Sequence, residues 1–512
     1  MREFLLAIDL GTSSSKVLAV DFDGKIASKV EAGYPIHRPQ SGYAEQDPAD
    51  WWNGVTSAVR KVVSNLSPEQ HHIVAVGLSG QMHGTVLLDE SGRLLAPAVI
   101  WPDQRSQSQV KEITTLFGLQ GLINIAGSSI FTGFQASTVR WFQQEEPEIW
   151  SKVKSILTPK DWLRWRLTGE KFSEPSDGSG TLLLNVHRRE WSQEILEKLN
   201  IDAALLPPIR GSREICGYLQ EAPAEELNIP AGTPVIAGAA DTACSILGAG
   251  ISDEKALLIT ISSGGQLIVP ISQVILDTSG RVHTFCSALE REDGRQAWYL
   301  MAAILSAGLS LRWLRDKLLR LEGSQAYQKM TEWGAESPAG ARGLIFLPYL
   351  SGERTPHMDP QARGIFLGLT SGHGRSELIR AVMEGVAFAC YHAFSSLFDL
   401  GIRPNSIILA GGGARSGLWQ QIFADLFGLP VTPLMVEDQS ALGAAMLAAS
   451  GVGLIDLNEA VNRWRQYGPP VKPDNSKKEI YRPLFSIYKR AYNVHRDDFR
   501  ILSAMSNGEI SE

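Results

Sequence analysis

The first thirty or so residues alternate apolar runs with short polar turns: FLLAIDL (4–10), GTSSS (11–15), KVLAVDF (16–22), an Asp23-Gly24 step, then KIASKVEA (25–32). Apolar runs bounded by turn residues predict strands, and Asp-Gly between two of them predicts a hairpin. The expected element is an antiparallel meander whose first turn is unusually polar. A helix is predicted at ADWWNGVTSAVRKVV (49–63), with Asp50 as its N-cap. The run IVAVGLSG (73–80) reads as a further strand ending in glycine.

Residues 256–270, ALLITISSGGQLIVP, repeat the opening design of strand, small polar turn and strand. Helical spacing of apolar residues resumes at RSELIRAVMEGVAFACYHAFSSLFDLG (375–401). SIILAGGGARSGLWQQIFADLFGLPV (406–431) then reads as a strand, a glycine run and an amphipathic helix. Strands alternating with helices through short loops predict α/β layers, and the repeated hairpin predicts two similar halves. The expected domains are residues 1–247 and 248–512.

Charge narrows the function classes. The 512 residues carry a net charge of −7, which argues against general binding to nucleic acid or to anionic membrane, since both draw on a basic surface. No uncharged 18-residue aliphatic stretch suggests a membrane span. The opening apolar run is interrupted by Asp9, too early for the core of a secretory leader. Cys216, Cys244, Cys286 and Cys390 are far apart with no CxxC pair, so reduced thiols in a cytoplasmic protein are expected, with no zinc site or disulfide framework.

A tight turn of glycine and hydroxyl side chains presents successive N–H and O–H donors, a concave anion site that needs no lysine. Gly11, Thr12, Ser13 and Ser14 therefore read as phosphate donors. Asp9, just upstream, would repel phosphate unless Mg2+ stood between them, so it reads as a metal-side acid; the plain alternative is a hairpin with a partly exposed Asp. Ser262, Ser263 and Gly264 offer an equivalent cradle in the second half. No GxxxxGK[ST] occurs, which excludes a Walker-type site. Gly411, Gly412 and Gly413, followed by Arg415 and Ser416, give a backbone surface for a base or ribose.

Asp241 lies among Gly, Ala and Thr with no basic neighbour. It reads either as a base that accepts a proton from a substrate hydroxyl or as an N-cap of the following helix. Gln81, His83, Asp103 and Arg105 cluster beside Met82 and Trp101, the mixture of polar and apolar faces that a sugar pocket uses; a lone His is otherwise commonly a satisfied structural residue.

These pieces resemble the FGGY carbohydrate kinases. The resemblance runs from Ile8 to about Ala449, through IDLGTSSSK, EQDPADWW (45–52), SGQMHG (79–84), LTPKDWLRWRLTGE (157–170), SDGSGTLLLNV (176–186), FLPYLSGERTPHMDP (346–360) and the glycine-run segment. It implies two ribonuclease-H-like domains of the actin and hexokinase type with an ATP cleft between them, ATP and Mg2+ as cofactors, and often a homodimer. It also implies Asp9 at magnesium and the γ-phosphate, Gly11 to Ser13 on the phosphates, Met82 and His83 at the sugar, Asp241 as catalytic base, and the glycines from 411 at the nucleotide. SGQMHG and LPYLSGERTPH are most similar to the members that phosphorylate the 5-hydroxyl of D-xylulose. Three positions depart from that pattern: Pro102 in Trp101-Pro102-Asp103, Thr242 where an amide commonly follows the base, and ISSGG for the second phosphate turn. The first two fall on the presumed sugar side.

Rival readings are a kinase for another ketose, polyol or sugar acid, such as ribulose or gluconate, with Arg105 as the cation for an acid substrate, and an actin-like ATPase. The sugar-side motifs and the short polar end SAMSNGEISE (503–512) speak against the last.

Overall fold

The computed structural model describes residues 2–66, 71–290 and 294–506, so the last part of SAMSNGEISE lies outside the described residues. The chain forms two compact units, Met1–Ser252 with Pro270–Tyr299 and Asp438–Arg465, and Asp253–Val269 with Leu300–Glu437 and Gln466–Glu512. The change of unit near residue 252 falls close to the expected 247/248 boundary. The first unit, however, also takes two segments from the second half of the chain, because the helix Gln439–Gly451 packs on its sheet.

In the first unit β1 (Arg2–Leu10), β2 (Ser14–Val20) and β3 (Ile26–Gly33) form the expected antiparallel meander. Strand β4 (His71–Gly80) lies parallel to β1. With β5 (Ile215–Tyr218) and β6 (Pro234–Ile236) the sheet order is β5-β6-β4-β1-β2-β3, and the short β7 (Ala239–Ala240) also pairs with β4. Helix α1 (Pro48–Ser64) covers one face with Trp51, Val55, Val59 and Val62 against Leu6, Ile8, Val17 and Ala19. Its N-cap is Asp47, not Asp50: the Asp47 side chain accepts from Ala49 N, and Pro48 sits at the first helical position, where a missing N–H costs nothing.

The six-residue α2 (Pro175–Gly180) and α3 (Asp241–Gly248) lie in the same unit, and α4 (Gln439–Gly451) covers the other face of β1 and β4. That second cover explains why FLLAIDL is a continuous apolar run without alternation. Small residues allow the close approach. A Cβ on Gly77 of β4 would stand 2.1 Å from Ala444 O, and one on Gly443 would stand 2.0 Å from Cys244 O of α3.

The second unit repeats the plan. Strand β8 (Ala256–Ile261) pairs antiparallel with β9 (Gly265–Ile271) and parallel with β11 (Ser406–Ala410), which pairs parallel with β12 (Val431–Pro433). The second part of β10 (Gln296–Ile304) lies beside β9. The helix Arg375–Asp399 is long and apolar enough to cross a membrane, but 78% of its most apolar stretch is buried within the protein, as in a core helix. All four cysteines are buried free thiols.

Candidate active site

The site in the first unit follows from register. Asp9, the last residue but one of β1, lies opposite Lys16 of β2 on one side and Ser79 of β4 on the other. Ser79 Oγ donates to Asp9 Oδ1 at 2.8 Å. Seating α4 on the sheet brings Asp438, the residue before it, to Lys16, with Nζ to Oδ1 at 3.2 Å. Burial pushes the Asp9 pKa above the usual carboxylate range; Ser79 and Lys16 pull it down and Asp438 adds to the rise. Burial opposes the charge on Lys16, but Asp438, with Asp9 and Glu31, overrides it and raises that pKa too.

The turn after Asp9 is held from all sides. Gly11 N donates to Ser14 O at 3.0 Å, the Tyr34 hydroxyl to Gly11 O at 2.5 Å and Gln46 Nε2 to Thr12 O at 2.8 Å. Trp101, 40% exposed, donates its Nε1–H to Thr12 Oγ1 at 2.9 Å. Trp101 thus touches the Gly11–Ser14 turn, a contact that the order of motifs along the chain gave no sign of. Ser13 is exposed at the tip of the turn.

Strand β7 sets Ala239 beside Ser79 and Ala240 beside Gly80, so the chain delivers Asp241 to the end of the sheet at which β1 presents Asp9. Ligands of α/β sheets gather at the carboxyl ends of parallel strands. Asp241 is not an N-cap: it is the first residue of α3, and its carboxylate accepts from Thr242 N at 2.6 Å and Thr242 Oγ1 at 3.2 Å. Burial, with Asp9 second, pushes its pKa up to about 7. Thr242 therefore acts here on the carboxylate of Asp241.

Gln81 is buried and donates to Gln46 Oε1 at 3.0 Å, while its own Oε1 is buried without a partner. Buried polar atoms are normally paired, so that oxygen is an acceptor waiting for a donor. Met82 is buried with Sδ 3.8 Å from the Tyr299 hydroxyl. His83 has a left-handed φ of 74°, a conformation that side chains adopt only when their surroundings impose it. Its Nδ1 is 2.6 Å from Gly180 O, its ring stacks on Phe134 at 3.9 Å, and Phe285 lies 6.1 Å away. Tyr299, whose pKa is raised first by burial and then by Asp241, stays protonated.

Sequence reasoning missed Phe134, Phe285 and Tyr299. They arrive from a helix start and two strands of apolar sequence, where an aromatic signals only core.

Asp103 and Arg105 do not present free charges. Asp103 is 1% exposed; its Oδ2 accepts from Ala44 N at 2.7 Å, and both oxygens accept from Arg105. Arg105 also donates to Glu45 at 2.6 Å and lies over the Tyr43 ring at 3.9 Å. Pairing within a buried cluster, not a ligand, satisfies both.

In the second unit a cavity of about 860 Å³ brings together Ser262, Ser263, Gly412, Gly413, Arg415 and Ser416. Its other wall is polar, with Gln328, Thr331 and Glu332 from the helix Ala326–Glu336, a one-face stripe that the sequence reading passed over. Gly411 and Gly264 are not in its lining; Gly411 instead lines a second cavity of about 490 Å³, with Gly412 and Arg415 common to both. Gly411 has φ 77°, and a Cβ there would stand 2.5 Å from Ile261 O. Ser416 caps the helix Gly417–Phe427, and Arg415 pairs with Glu437.

Among the described residues no group of three or more His, Cys, Asp or Glu side chains forms a metal cage. Two half-buried carboxylates, both with raised pKa and the charge of Asp9 adding to the rise at Asp241, are a setting that a divalent cation relieves, and Mg2+ is commonly held by one or two carboxylates plus phosphates and water. Asp9 fits that ion; the cavity fits a nucleoside in size and in its hydroxyl and backbone lining.

Two repeated α/β units, one with paired acids at its strand ends and one with a glycine-lined cavity, define a phosphotransferase class. Residues 4–248 match the N-terminal domain, and residues 272–452 the C-terminal domain, of the FGGY family of carbohydrate kinases. The chain is 34% identical to a xylulose kinase of Bacillus subtilis, over 97% of this chain and 98% of that protein. It is 29% identical to a gluconokinase of the same organism over the full length of both. A crystal structure of a kinase from Brucella ovis, titled xyloylose kinase, superposes with a TM-score of 0.89 at 32% identity, covering 96% of this chain and 99% of that one. The chain belongs to the FGGY family and is an ATP-dependent carbohydrate kinase.

Proposed function

We propose that the protein transfers the γ-phosphate of ATP to the 5-hydroxyl of D-xylulose, with Asp241 as general base. The observation that carries the reading is Asp241 itself: a carboxylate at a strand end whose pKa of about 7 suits a base at neutral pH. The sugar hydroxyl oxygen attacks the γ-phosphorus, its proton passes to an Asp241 oxygen, and the bond from phosphorus to the ADP oxygen breaks. Phosphoryl transfer asks for little beyond alignment and charge neutralisation.

Each unit has its part. In the first, the unpartnered Gln81 Oε1 accepts from a sugar hydroxyl, His83 and the protonated Tyr299 donate to others, and Met82, Phe134 and Phe285 offer faces to C–H groups. Asp103 shapes this side from beneath by holding Arg105 and Ala44 N. Gly11, Thr12 and Ser13 hold phosphate oxygens. In the second unit, Ser262, Ser263 and Gly264 hold phosphates, and Gly411 to Gly413 with Arg415 and Ser416 border the nucleoside. Asp9 would hold Mg2+, which when bound neutralises phosphate charge. Buried free thiols accord with a cytoplasmic location.

The gluconokinase relative makes a sugar acid the second reading. Arg105, the cation such a substrate would call on, is engaged by Asp103, Glu45 and Tyr43, which favours a neutral sugar. A coupled ADP-release assay across pentuloses, polyols and aldonic acids tests this. D-Xylulose is expected to give the highest kcat/KM; gluconate at the top of the ranking would overturn the assignment.

A further inference from the structure

The segment SDGSGT (176–181) is among the motifs that carry the family resemblance, yet none of its side chains has a part in the chemistry above. Its helix α2 nevertheless touches the candidate site at three points. Ala240 N–H, immediately before Asp241, donates to Ser176 Oγ at 2.9 Å. At the other end, Gly180 O meets His83 Nδ1. Between them Ser179 Oγ accepts from Cys286 N at 3.1 Å, next to Phe285.

Ser176 is itself held. Its hydroxyl donates to Glu174, with 2.7 Å to Oε1 and 2.9 Å to Oε2. Glu174 is fully buried, caps α2 through Ser176 N and Asp177 N, accepts from Ser212 Oγ at 2.9 Å, and lies 3.7 Å from the buried Lys160 Nζ. Lys160 in turn reaches Asp161 at 3.1 Å and Asp177 at 3.2 Å. A lysine among three carboxylates, all buried, is a rigid footing, because every member is costly to move off its partners.

We propose that Ser176 is a positioning residue for Asp241: its hydroxyl, fixed by Glu174, holds the Ala240 N–H and so sets the direction of the next residue's carboxylate. Strand β7 is only two residues long, so it anchors that peptide weakly on its own. Without the hydroxyl, the buried N–H is left unpaired or turns to find another acceptor. Turning that peptide changes φ at Ala240 and so swings the residue that follows, Asp241. The inference rests on the reading of Asp241 as base.

Steady-state kinetics of Ser176→Ala, Ser176→Cys and Ser212→Ala, alongside Asp241→Ala, test it. Ser212→Ala removes a donor to the same Glu174 oxygen without touching Ala240, so it is the control for a purely structural loss. Ser176→Ala is expected to lower kcat roughly tenfold or more, the effect of a small misplacement of a reacting group, with the KM for ATP within about twofold. Ser176→Cys, which keeps a weaker donor and acceptor, is expected to recover part of kcat, and Ser212→Ala to lower Tm while keeping kcat within about twofold of wild type. Wild-type kcat in Ser176→Ala, or equal losses in the Ser176 and Ser212 variants, would overturn the proposal. Should Ser176→Ala fail to fold, Ser176→Cys against Ser212→Ala decides in the same way. Turnover retained by Asp241→Ala removes the base reading itself; an inactive Asp241→Ala beside a normal Ser176→Ala removes only the positioning role.

Discussion

Asp9, at the end of β1, acts on Asp241, at the end of β7: after burial, its charge is the largest cause of the rise in the Asp241 pKa to about 7. A base must be unprotonated to accept the hydroxyl proton. The kcat/KM for the sugar is therefore expected to fall about tenfold per pH unit below that pKa, giving an acid limb near neutrality and not near an ordinary aspartate value. A profile measured from about pH 5 to pH 9 checks this, and a flat rate across that range contradicts it.

The same shift makes a stability prediction. An acid whose pKa is higher in the folded chain binds more protons there, so the stability it lends is complete below the unfolded value of 3.8 and is lost as pH rises through about 7. Asp241→Asn, which stays neutral, is expected to raise Tm at pH 8 and to leave it unchanged at pH 4. The full shift corresponds to at most ~4 kcal/mol. Water reaching the half-buried carboxylate lowers this to about 1–2 kcal/mol. Calorimetry at the two pH values is the measurement; an equal change at both would show that the gain is not electrostatic.

The acids and the polar turns were legible because they interrupt apolar strands, where a charge or a glycine run has to be explained. The alternation of strand and turn likewise gave the meander and its repeat. The aromatic wall was not legible, since Phe285 and Tyr299 read as core in apolar strands and reach His83 only through tertiary packing. Nor was α4: QSALGAAMLAASG lies in the second half of the chain, and nothing local says that its small residues seat it on the sheet of the first unit. Asp103 and Arg105 are the opposite case: adjacent charges suggested a ligand, and in the structure they pair with one another and with Glu45.

The crossing of α3 and α4 depends on glycine. A Cβ on Gly443 would stand 2.0 Å from Cys244 O, and one on Gly248 would stand 2.0 Å from Gln439 O. Both contacts are with backbone, which cannot turn aside as a side chain can. Gly443→Ala is expected to destabilise the protein by about 1–3 kcal/mol despite the better helix propensity of alanine. Urea denaturation followed by circular dichroism measures it; an unchanged or higher midpoint would show that the helices part without strain.

Arg105→Leu separates a structural from a substrate-binding cation. Removing the guanidinium leaves Asp103 buried with an unpaired charge, a loss of about 3–5 kcal/mol for a buried pair broken on one side. Tm is expected to fall, with the ratio of kcat/KM for neutral sugars to that for aldonic acids unchanged. A selective loss of activity on aldonic acids would make Arg105 a ligand and return a sugar acid to first place.

Gly308 packs against the Ser262–Gly264 turn, proposed above to hold phosphate, and lines the same cavity. Its N–H donates to Ser262 O at 2.8 Å, while Ala307 N and Leu309 N both donate to Ser263 O at 3.0 Å, so the loop fixes the turn through backbone alone. A Cβ at Gly308 would stand 2.2 Å from Ser262 O, and the methyl of alanine has to displace that carbonyl. Overpacking of this kind costs about 1–3 kcal/mol. Where it falls on bound nucleotide, each ~1.4 kcal/mol is tenfold in affinity. Gly308→Ala is accordingly expected to raise the KM for ATP about tenfold while the KM for the sugar stays within about twofold, because the residues proposed to hold the sugar belong to the other unit. Initial rates with each substrate varied in turn distinguish the two. If both constants rise together, the turn does not act on nucleotide alone; if neither moves, Ser262 and Ser263 lose their assignment as phosphate donors.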